Sequence, residues 1–500
     1  MKNQLILKNG TSASLDKMPV LESDAFRQHL TNLLQKGSRL SALFAVPTEQ
    51  QAIVYAAVAD DETAEIELFA SKCGRKNISL TPHIPQAHWF EREMAEIHGI
   101  EMVGHPWLKP IRFQPRKGQT VEIIPGATEY FEVKGEEVHE VGVGPVHAGI
   151  IEPGHFRFQC HGEKVFHLEI ELGYQHRGIE RAIPGMPHEK AIRLMEAVAG
   201  DTSIGHATAY AMNIEALSGL KASQNAKIIR SVALELERMA NHTGDLGALA
   251  GDVGFLPTSA YCGRIRGDIL NTTGLICGNR FGRGLVKAGG CGYEIDSDLK
   301  KQILDKLLLI EADLHSAIDL IWDTPSVVSR FEETGTVSRE DALAIGMVGP
   351  AGRACGLMVD TRISHPFGAF DKFAPAIPLI ELGKLGDVNA RATIRWLEIQ
   401  ESLRLIREML AALNSEPAGY NHEQVKPVAN SVAISLTEGW RGEICHVAMT
   451  DEQGQLKAYK IVDPSFHNWF GLALSLRDQE ISDFPLCNKS FNLSYCGHDL

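Results

Sequence analysis

Glu196-Ala-Val-Ala-Gly-Asp-Thr-Ser-Ile-Gly-His206 is the stretch on which the fold of this chain turns. Small and apolar residues dominate it after Glu196, and the carboxylate of Asp201 and the imidazole of His206 stand among them without any thiol. A second stretch of similar make-up ends the sequence as given: Asn492-Leu-Ser-Tyr-Cys-Gly-His-Asp-Leu500, with Cys496 between Ser494 and Gly497. Asp201 reads either as a functional acid kept from water, where desolvation would raise its proton affinity, or as a helix-capping or solvent-facing acid.

Composition bounds the answer. A chain of 500 residues buries a large core and is expected to divide into more than one domain. A net charge of −14 argues against a nucleic-acid surface, which needs a basic stripe. No apolar run approaches the roughly 20 residues that span a bilayer, and Met1-Lys-Asn-Gln-Leu-Ile-Leu-Lys-Asn-Gly10 has no signal-peptide core. A soluble chain, docked onto a membrane assembly if at all, is therefore expected. The nine cysteines are scattered with no Cys-x-x-Cys, which reads as reduced, buried thiols in a cytoplasmic protein and argues against a cluster held by this chain.

The fold class expected is α+β. Residues 1–116 read as a small α/β domain: Leu40-Ser-Ala-Leu-Phe-Ala-Val-Pro47 and Gln51-Ala-Ile-Val-Tyr-Ala-Ala-Val58 are strand candidates around a hairpin turn. A helix follows over Ala87–Ile97, ended by Gly99. Residues 117–140 are polar and read as a linker or extended arm. Residues 141–500 read as a large, mainly helical domain. Apolar spacing places long helices from Ala222 to about Gly247, over Asp298–Trp322 and over Ala390–Leu413. Ser431–Leu436, Cys445–Thr450 and Leu456–Val462 form a small antiparallel sheet. Gly142-Val-Gly-Pro-Val-His147 lacks the third glycine of a dinucleotide loop, so no nucleotide site is assigned.

Several motifs together resemble one family. Gly144-Pro-Val-His-Ala-Gly-Ile-Ile-Glu-Pro-Gly-His155 is similar to a loop shared by membrane-bound nickel–iron hydrogenases and the quinone-site subunit of respiratory complex I. Leu172-Gly-Tyr-Gln-His-Arg-Gly-Ile-Glu-Arg181, Gly349-Pro-Ala-Gly-Arg-Ala-Cys-Gly356 with Asp360-Thr-Arg362, Glu438-Gly-Trp-Arg-Gly-Glu443 and Asp463-Pro-Ser-Phe-His-Asn-Trp469 continue the likeness. Glu91-Arg-Glu-Met-Ala-Glu-Ile-His-Gly-Ile-Glu-Met-Val-Gly-His-Pro106 resembles the small 30 kDa-type subunit of complex I and is taken as an assembly module. The fused order, small domain then large domain, resembles group 4 hydrogenases such as hydrogenase-4 and formate hydrogenlyase.

The resemblance carries a departure. Hydrogenases of this kind hold nickel and iron with two Cys-x-x-Cys pairs, since soft thiolates suit that metal pair. The matching positions here are Ala199, Thr202, Ser494 and Gly497, with Cys496 out of register. The tyrosine that binds quinone in complex I matches Gly200. The resemblance therefore implies a metal-free cavity and no cofactor bound by this chain. It also implies an iron–sulfur cluster in a small partner subunit, further hydrophilic-arm subunits, and antiporter-like and helical membrane subunits. The chain would sit on the inner face of the cytoplasmic membrane.

Within that frame, Glu152, His155 and Asp201 are the candidate proton-handling residues. His147, His206, Arg353, Asp360 and Arg362 are candidates for the cavity wall, and His176 and Arg177 for contact with the partner's cluster. Each has a plainer reading beside it. Glu152 could satisfy turn amides, His176 and Arg177 an interface ion pair, and the arginines a structural network that buried charge requires. The function implied is that of a peripheral-arm subunit of a complex-I-like (NADH:quinone oxidoreductase or hydrogenase-4-related) redox assembly. It takes electrons from the iron–sulfur partner, couples to proton or ion transport, and has quinone as its acceptor. The alternative is a non-catalytic coupling subunit, and an active nickel–iron hydrogenase is third.

Overall fold

The structure, a computed structural model, describes residues 4–48, 51–114, 124–148, 151–376 and 386–500. Arg39–Pro47, Ala52–Asp60 and Glu65–Cys73 form an antiparallel meander, bordered by Leu5–Leu7 and, in parallel, by Val20–Leu21. The first two strands are those expected from the sequence. Their shared face buries Leu40, Leu43, Val54 and Val58 against Phe26 and Leu30 of the helix Ser23–Gln35. The helix His88–His98 ends at Gly99, whose φ of 68° lets its N–H bond the Ala95 carbonyl.

Two boundaries differ from the sequence reading. The strand Val138–Val143 begins inside the segment read as a linker and pairs with His155–His161, which pairs in turn with Lys164–Glu171. Its charged, half-exposed face hides the alternation by which a strand is recognised. Residues 117–123, the first part of the expected linker, lie outside the described residues. The small sheet of the large domain also has a fourth strand, Thr11–Ser14, which pairs with Ser431–Gly439. The amino-terminal segment thus laces the two domains together. One apolar core runs from Leu40 and Phe90 through Phe156 to Val432 and Trp469, while a second fills the helical layer.

That helical layer contains Ser203–Ser218, Gln224–Asp252, Leu256–Cys277, Ser297–Trp322 and Val388–Ala411. Three match the helices expected from apolar spacing, each shifted by only a few residues. Gln224–Asp252 is the central one and is buried along most of its 29 residues. Its buried positions include Arg230, Glu235, Glu237, Arg238 and His242, so its interior is charged as well as apolar. No helix of the described residues is long and apolar enough to cross a membrane.

Candidate functional site

The 196–206 stretch is not one helix. His188–Met195 ends, Glu196–Thr202 turns, and Ser203–Ser218 begins. Gly200 and the non-helical Thr202 (φ −130°, ψ 43°) break it. The amides of Ile204 and Gly205, which no helical carbonyl can serve, donate instead to the Glu237 carboxylate at 2.8 and 3.2 Å. Burial pushes Glu237 up to about 8 in spite of those two bonds. Ala199, Asp201 and Thr202 are consequently presented from a turn, and His206 from the first helical turn beyond it.

The C-terminal stretch is also a turn and cap. Asn492 adopts the left-handed region (φ 44°), and Ser494 Oγ accepts from the Gly497 amide at 2.9 Å, capping the helix Tyr495–Asp499. A Cβ at Gly497 would lie 2.7 Å from the Asp463 carboxylate. The carboxylate therefore fills the space that any side chain at 497 would need.

The two turns face each other across a cavity of about 500 Å³ lined by Glu152, Asp201, Arg266, Arg441, Lys489 and Cys496, among others. Arg441 is the centre of its charge. Its Nη1 and Nη2 donate to Asp201 Oδ1 and Oδ2 at 2.6 and 2.8 Å, a bidentate pair, and its Nε to the Asn492 carbonyl at 2.5 Å. The guanidinium lies 3.8 Å from the Trp440 ring centroid. Asp201 is a third exposed. Burial alone would raise its carboxyl, but Arg441 and the Thr202 hydroxyl outweigh that and hold it below its ordinary value. Glu152 accepts from the Tyr495 amide at 3.2 Å. Burial, with the Glu152 charge added, pushes the Cys496 thiol up to about 11, away from the thiolate that nucleophiles and metal ligands require.

This donor set does not fit a nickel–iron pair. Ala199 and Gly497 have no donor, Ser494 is engaged as a helix cap, and Thr202 Oγ1 lies 3.3 Å from Arg441 Nη1. A fixed cation, the Arg441 guanidinium, bridges the two turns that carry these positions, bonded to Asp201 on one and to the Asn492 carbonyl on the other. Among the described residues, no group of three or more His, Cys, Asp or Glu could hold a metal ion.

Arg353, Asp360 and Arg362 line no part of this cavity. They belong to a buried ion cluster in which Arg238, Arg353 and Arg362 meet Glu235, Asp360, Glu398 and Glu438. Arg353 Nη2 reaches Glu398 at 2.6 Å and Nη1 reaches Glu438 at 2.8 Å; Arg362 Nη2 reaches Asp360 at 2.6 Å. Four carboxyls oppose three guanidiniums, and Glu438 is pushed up by burial and by Asp360. The cluster acts on the cavity through the backbone: Arg238 donates to the carbonyls of Glu438 and Gly439 at 2.7 and 3.1 Å, immediately before the turn that carries Arg441. Gly349 (φ 67°) approaches that turn so closely that a Cβ would sit 2.0 Å from the Arg441 carbonyl oxygen.

The remaining candidates are distributed around this centre. His147 Nε2 bonds the Gly154 carbonyl at 2.9 Å and His155 Nδ1 the Gly144 carbonyl at 3.4 Å, so both brace the loop that carries Glu152. His176 Nδ1 bonds the Asp499 carbonyl at 2.8 Å. Arg177 donates to the carbonyls of Ala197, Val198 and Cys496, tying the two turns together. His206 is wholly buried between Asp463 and His446. Arg441, Glu237, Glu398 and Asp463 are the residues that sequence reasoning did not single out. Arg441 and Asp463 stand inside stretches quoted for the resemblance. A lone arginine or aspartate gives no periodic signal of its own.

Comparison with known proteins follows the same lines. The respiratory-chain NADH dehydrogenase 49 Kd subunit family matches residues 252–433, and the 30 Kd subunit family matches residues 20–119. The carbon monoxide-induced hydrogenase of Rhodospirillum rubrum is 30% identical over 71% of this chain and 97% of its own length. Formate hydrogenlyase subunit 5 of Escherichia coli is 28% identical over 87% of this chain and 78% of its own. A C/D-type NADH-quinone oxidoreductase subunit of Bacteroides thetaiotaomicron is 29% identical over 75% of this chain and 76% of its own. Among solved structures, a chain of the membrane-bound sulfane sulfur reductase, an archaeal respiratory membrane complex, shares the fold with a TM-score of 0.68 at 21% identity. That match covers 73% of this chain and 99% of the other.

Proposed function

The chain belongs to the family of complex I 49 Kd subunits and group 4 hydrogenase large subunits, in the form fused to a 30 Kd-type domain, and from that premise we propose that it is the acceptor-reducing subunit of a membrane-associated redox complex. Electrons enter from an iron–sulfur partner subunit, and a quinone-class acceptor binds in the cavity beside Arg441. The work is coupled to proton or ion transport in membrane subunits that the complex supplies. The observation that carries this reading is the bidentate Arg441–Asp201 pair on the cavity wall, which bridges the two turns that bear the positions the resemblance assigns to a metal pair.

The chemistry follows from that pair. A carbonyl acceptor that gains electrons builds negative charge on oxygen. A pre-oriented guanidinium stabilises such charge most where water is scarce. Each carbonyl oxygen must then take a proton, and Asp201 and Glu152 are the carboxyls on the cavity wall. Exposed Ile151 and Phe281 stand at the cavity, and Val146 lies on the same loop as Ile151. That apolar border suits the face on which the iron–sulfur subunit docks. Arg177, exposed on the turn-to-turn tie, is placed to set the charge near that partner.

The test is a binding and turnover measurement on the purified complex with a short-chain ubiquinone analogue. Saturable, stoichiometric binding that is competed by a head-group inhibitor, together with reduction of the analogue, is expected. A complex that binds no analogue and reduces none would leave this chain as a non-catalytic coupling subunit.

A further inference from the structure

Behind the Arg441 turn, four buried polar side chains form one continuous file. Asp463 Oδ2 lies 3.0 Å from His206 Nε2, His206 Nδ1 lies 3.1 Å from His446 Nε2, and His446 Nδ1 lies 2.9 Å from the Tyr459 hydroxyl. Asp463 and both histidines are at most 1% exposed, and Tyr459 is 5% exposed. They come from four elements: His206 from Ser203–Ser218, His446 and Tyr459 from the paired strands Gly442–Thr450 and Leu456–Val462, and Asp463 from the start of Pro464–Ser475. An interior that needed only packing would place apolar side chains here, since each buried polar group must find its partner.

The bonding admits a direction of the file that ends at Asp463. Burial would raise the Asp463 carboxyl, but the His206 contact and Arg441 hold it below its ordinary value, so it only accepts. His206 Nε2 therefore carries a proton, and in the neutral tautomer with that proton its Nδ1 is free to accept. Burial holds His446 well below the usual imidazole value, so it is neutral. It donates from Nε2 to His206 and accepts at Nδ1 from the Tyr459 hydroxyl. In that set of tautomers every O–H and N–H in the file points toward Asp463. At that end the carboxylate lies against Gly497, the residue that follows Cys496 of the cavity wall. At the other end the Tyr210 ring is 5.7 Å from the Tyr459 ring, with its buried hydroxyl unpartnered. Exposed Glu189, whose charge is felt at Tyr210, lies beyond it.

We propose that Tyr459, His446, His206 and Asp463 form a proton relay that runs from the Tyr210 side of the protein to the acceptor cavity. The relay rests on the reading of the cavity as an acceptor site, because reduction there consumes protons. In one pass the Tyr459 O–H bond breaks as an N–H bond forms at His446 Nδ1. The His446 Nε2–H proton passes to His206 Nδ1, and the His206 Nε2–H proton passes to the Asp463 carboxylate, which delivers it to the reduced acceptor. The Tyr459 oxygen takes a replacement proton from water on the Tyr210 side. No electrons move along the file; they come from the iron–sulfur partner. Because burial pushes the Tyr459 phenol well above its usual value, the phenolate is not a resting species and the replacement proton arrives in concert.

The experiment has two arms on the purified complex. In the first, Tyr459→Phe and His446→Gln are compared with the parent for analogue binding, turnover and solvent deuterium isotope effect. Turnover is expected to fall about a hundredfold, with binding unchanged and the isotope effect raised. A variant that only loosened packing would not raise the isotope effect. Parent-like turnover in Tyr459→Phe overturns the relay. In the second arm, ¹⁵N-histidine labelling reads the scalar coupling across the His446 Nε2–H···Nδ1 His206 bond. The coupling is expected, and its absence overturns the relay whatever the complex reduces. A parent complex that reduces no acceptor sinks the acceptor reading alone. The coupling, if it is then present, retains the file as a hydrogen-bonded proton path.

Discussion

Arg441→Met in the purified complex is expected to lower electron transfer to a quinone analogue by about 10²–10³ while leaving the complex assembled. The arginine is the cation at the cavity best placed to meet charge that builds on an acceptor, and it is already oriented by Asp201, by the Asn492 carbonyl and by Trp440. Methionine keeps much of the apolar stem along the indole but offers neither charge nor donors. The loss also removes the group that holds Asp201 ionised, so the Asp201 carboxyl should titrate at a higher pH in the variant than in the parent. The measurement is the turnover–concentration curve. A fall confined to the maximal rate marks stabilisation of the charged, reduced state, and a fall confined to half-saturation marks simple binding. Parent-like turnover would remove Arg441 from the site altogether.

Glu398→Ala is expected to destabilise the chain by about 3–5 kcal/mol. Glu398 is fully buried and is shared by Arg353, Arg238 and His242 at 2.6, 3.3 and 2.9 Å. Burial would raise its carboxyl, yet Arg353 and the His242 bond dominate and hold it well below its ordinary value. Without it, two guanidiniums stay buried with fewer acceptors, and the penalty for unpaired buried charge falls on the whole chain. Since the folded-state value is the lower one, the stabilisation is present above the ordinary carboxyl range. It is lost as pH falls through the folded value. Denaturant midpoints of parent and variant at neutral and acidic pH check both points: the gap between them is expected to shrink on acidification. A midpoint equal to the parent's at neutral pH would contradict the role given to the cluster.

Much of the architecture was legible because it rests on periodic apolar signal. The helices Ser297–Trp322 and Val388–Ala411 and the strands Arg39–Pro47 and Ala52–Asp60 announce their buried faces, and Gly99 announces a helix end. The fourth strand of the small sheet was not legible. Thr11–Ser14 is short and small, and its partner lies more than four hundred residues on at Ser431–Gly439. The break at Gly200–Thr202 was hidden for a related reason. The group that stabilises it, Glu237, is on another helix, and such a cap leaves no local mark.

The site was legible in its positions and less so in its chemistry. The missing thiolates could be read directly, and Glu152, Asp201 and Cys496 do meet in one cavity. What stands among the lost ligand positions could not be read, because Arg441 reaches Asp201 from 240 residues away. Arg353, Asp360 and Arg362 carried the right charge pattern, but sequence gives no depth. Their partners Glu235, Glu398 and Glu438 place them behind the turn that holds Arg441, away from the cavity surface.

The central claim is that a guanidinium–carboxylate pair occupies the place of a metal pair. Elemental analysis of the intact purified complex tests it most directly, with nickel and iron measured against protein. Nickel at background, and iron fully accounted for by the clusters of the partner subunits, is the expected result. Stoichiometric nickel that remains after chelation and is lost in Asp201→Asn would contradict it, since the cavity would then hold a metal by ligands other than the four thiolates it lacks.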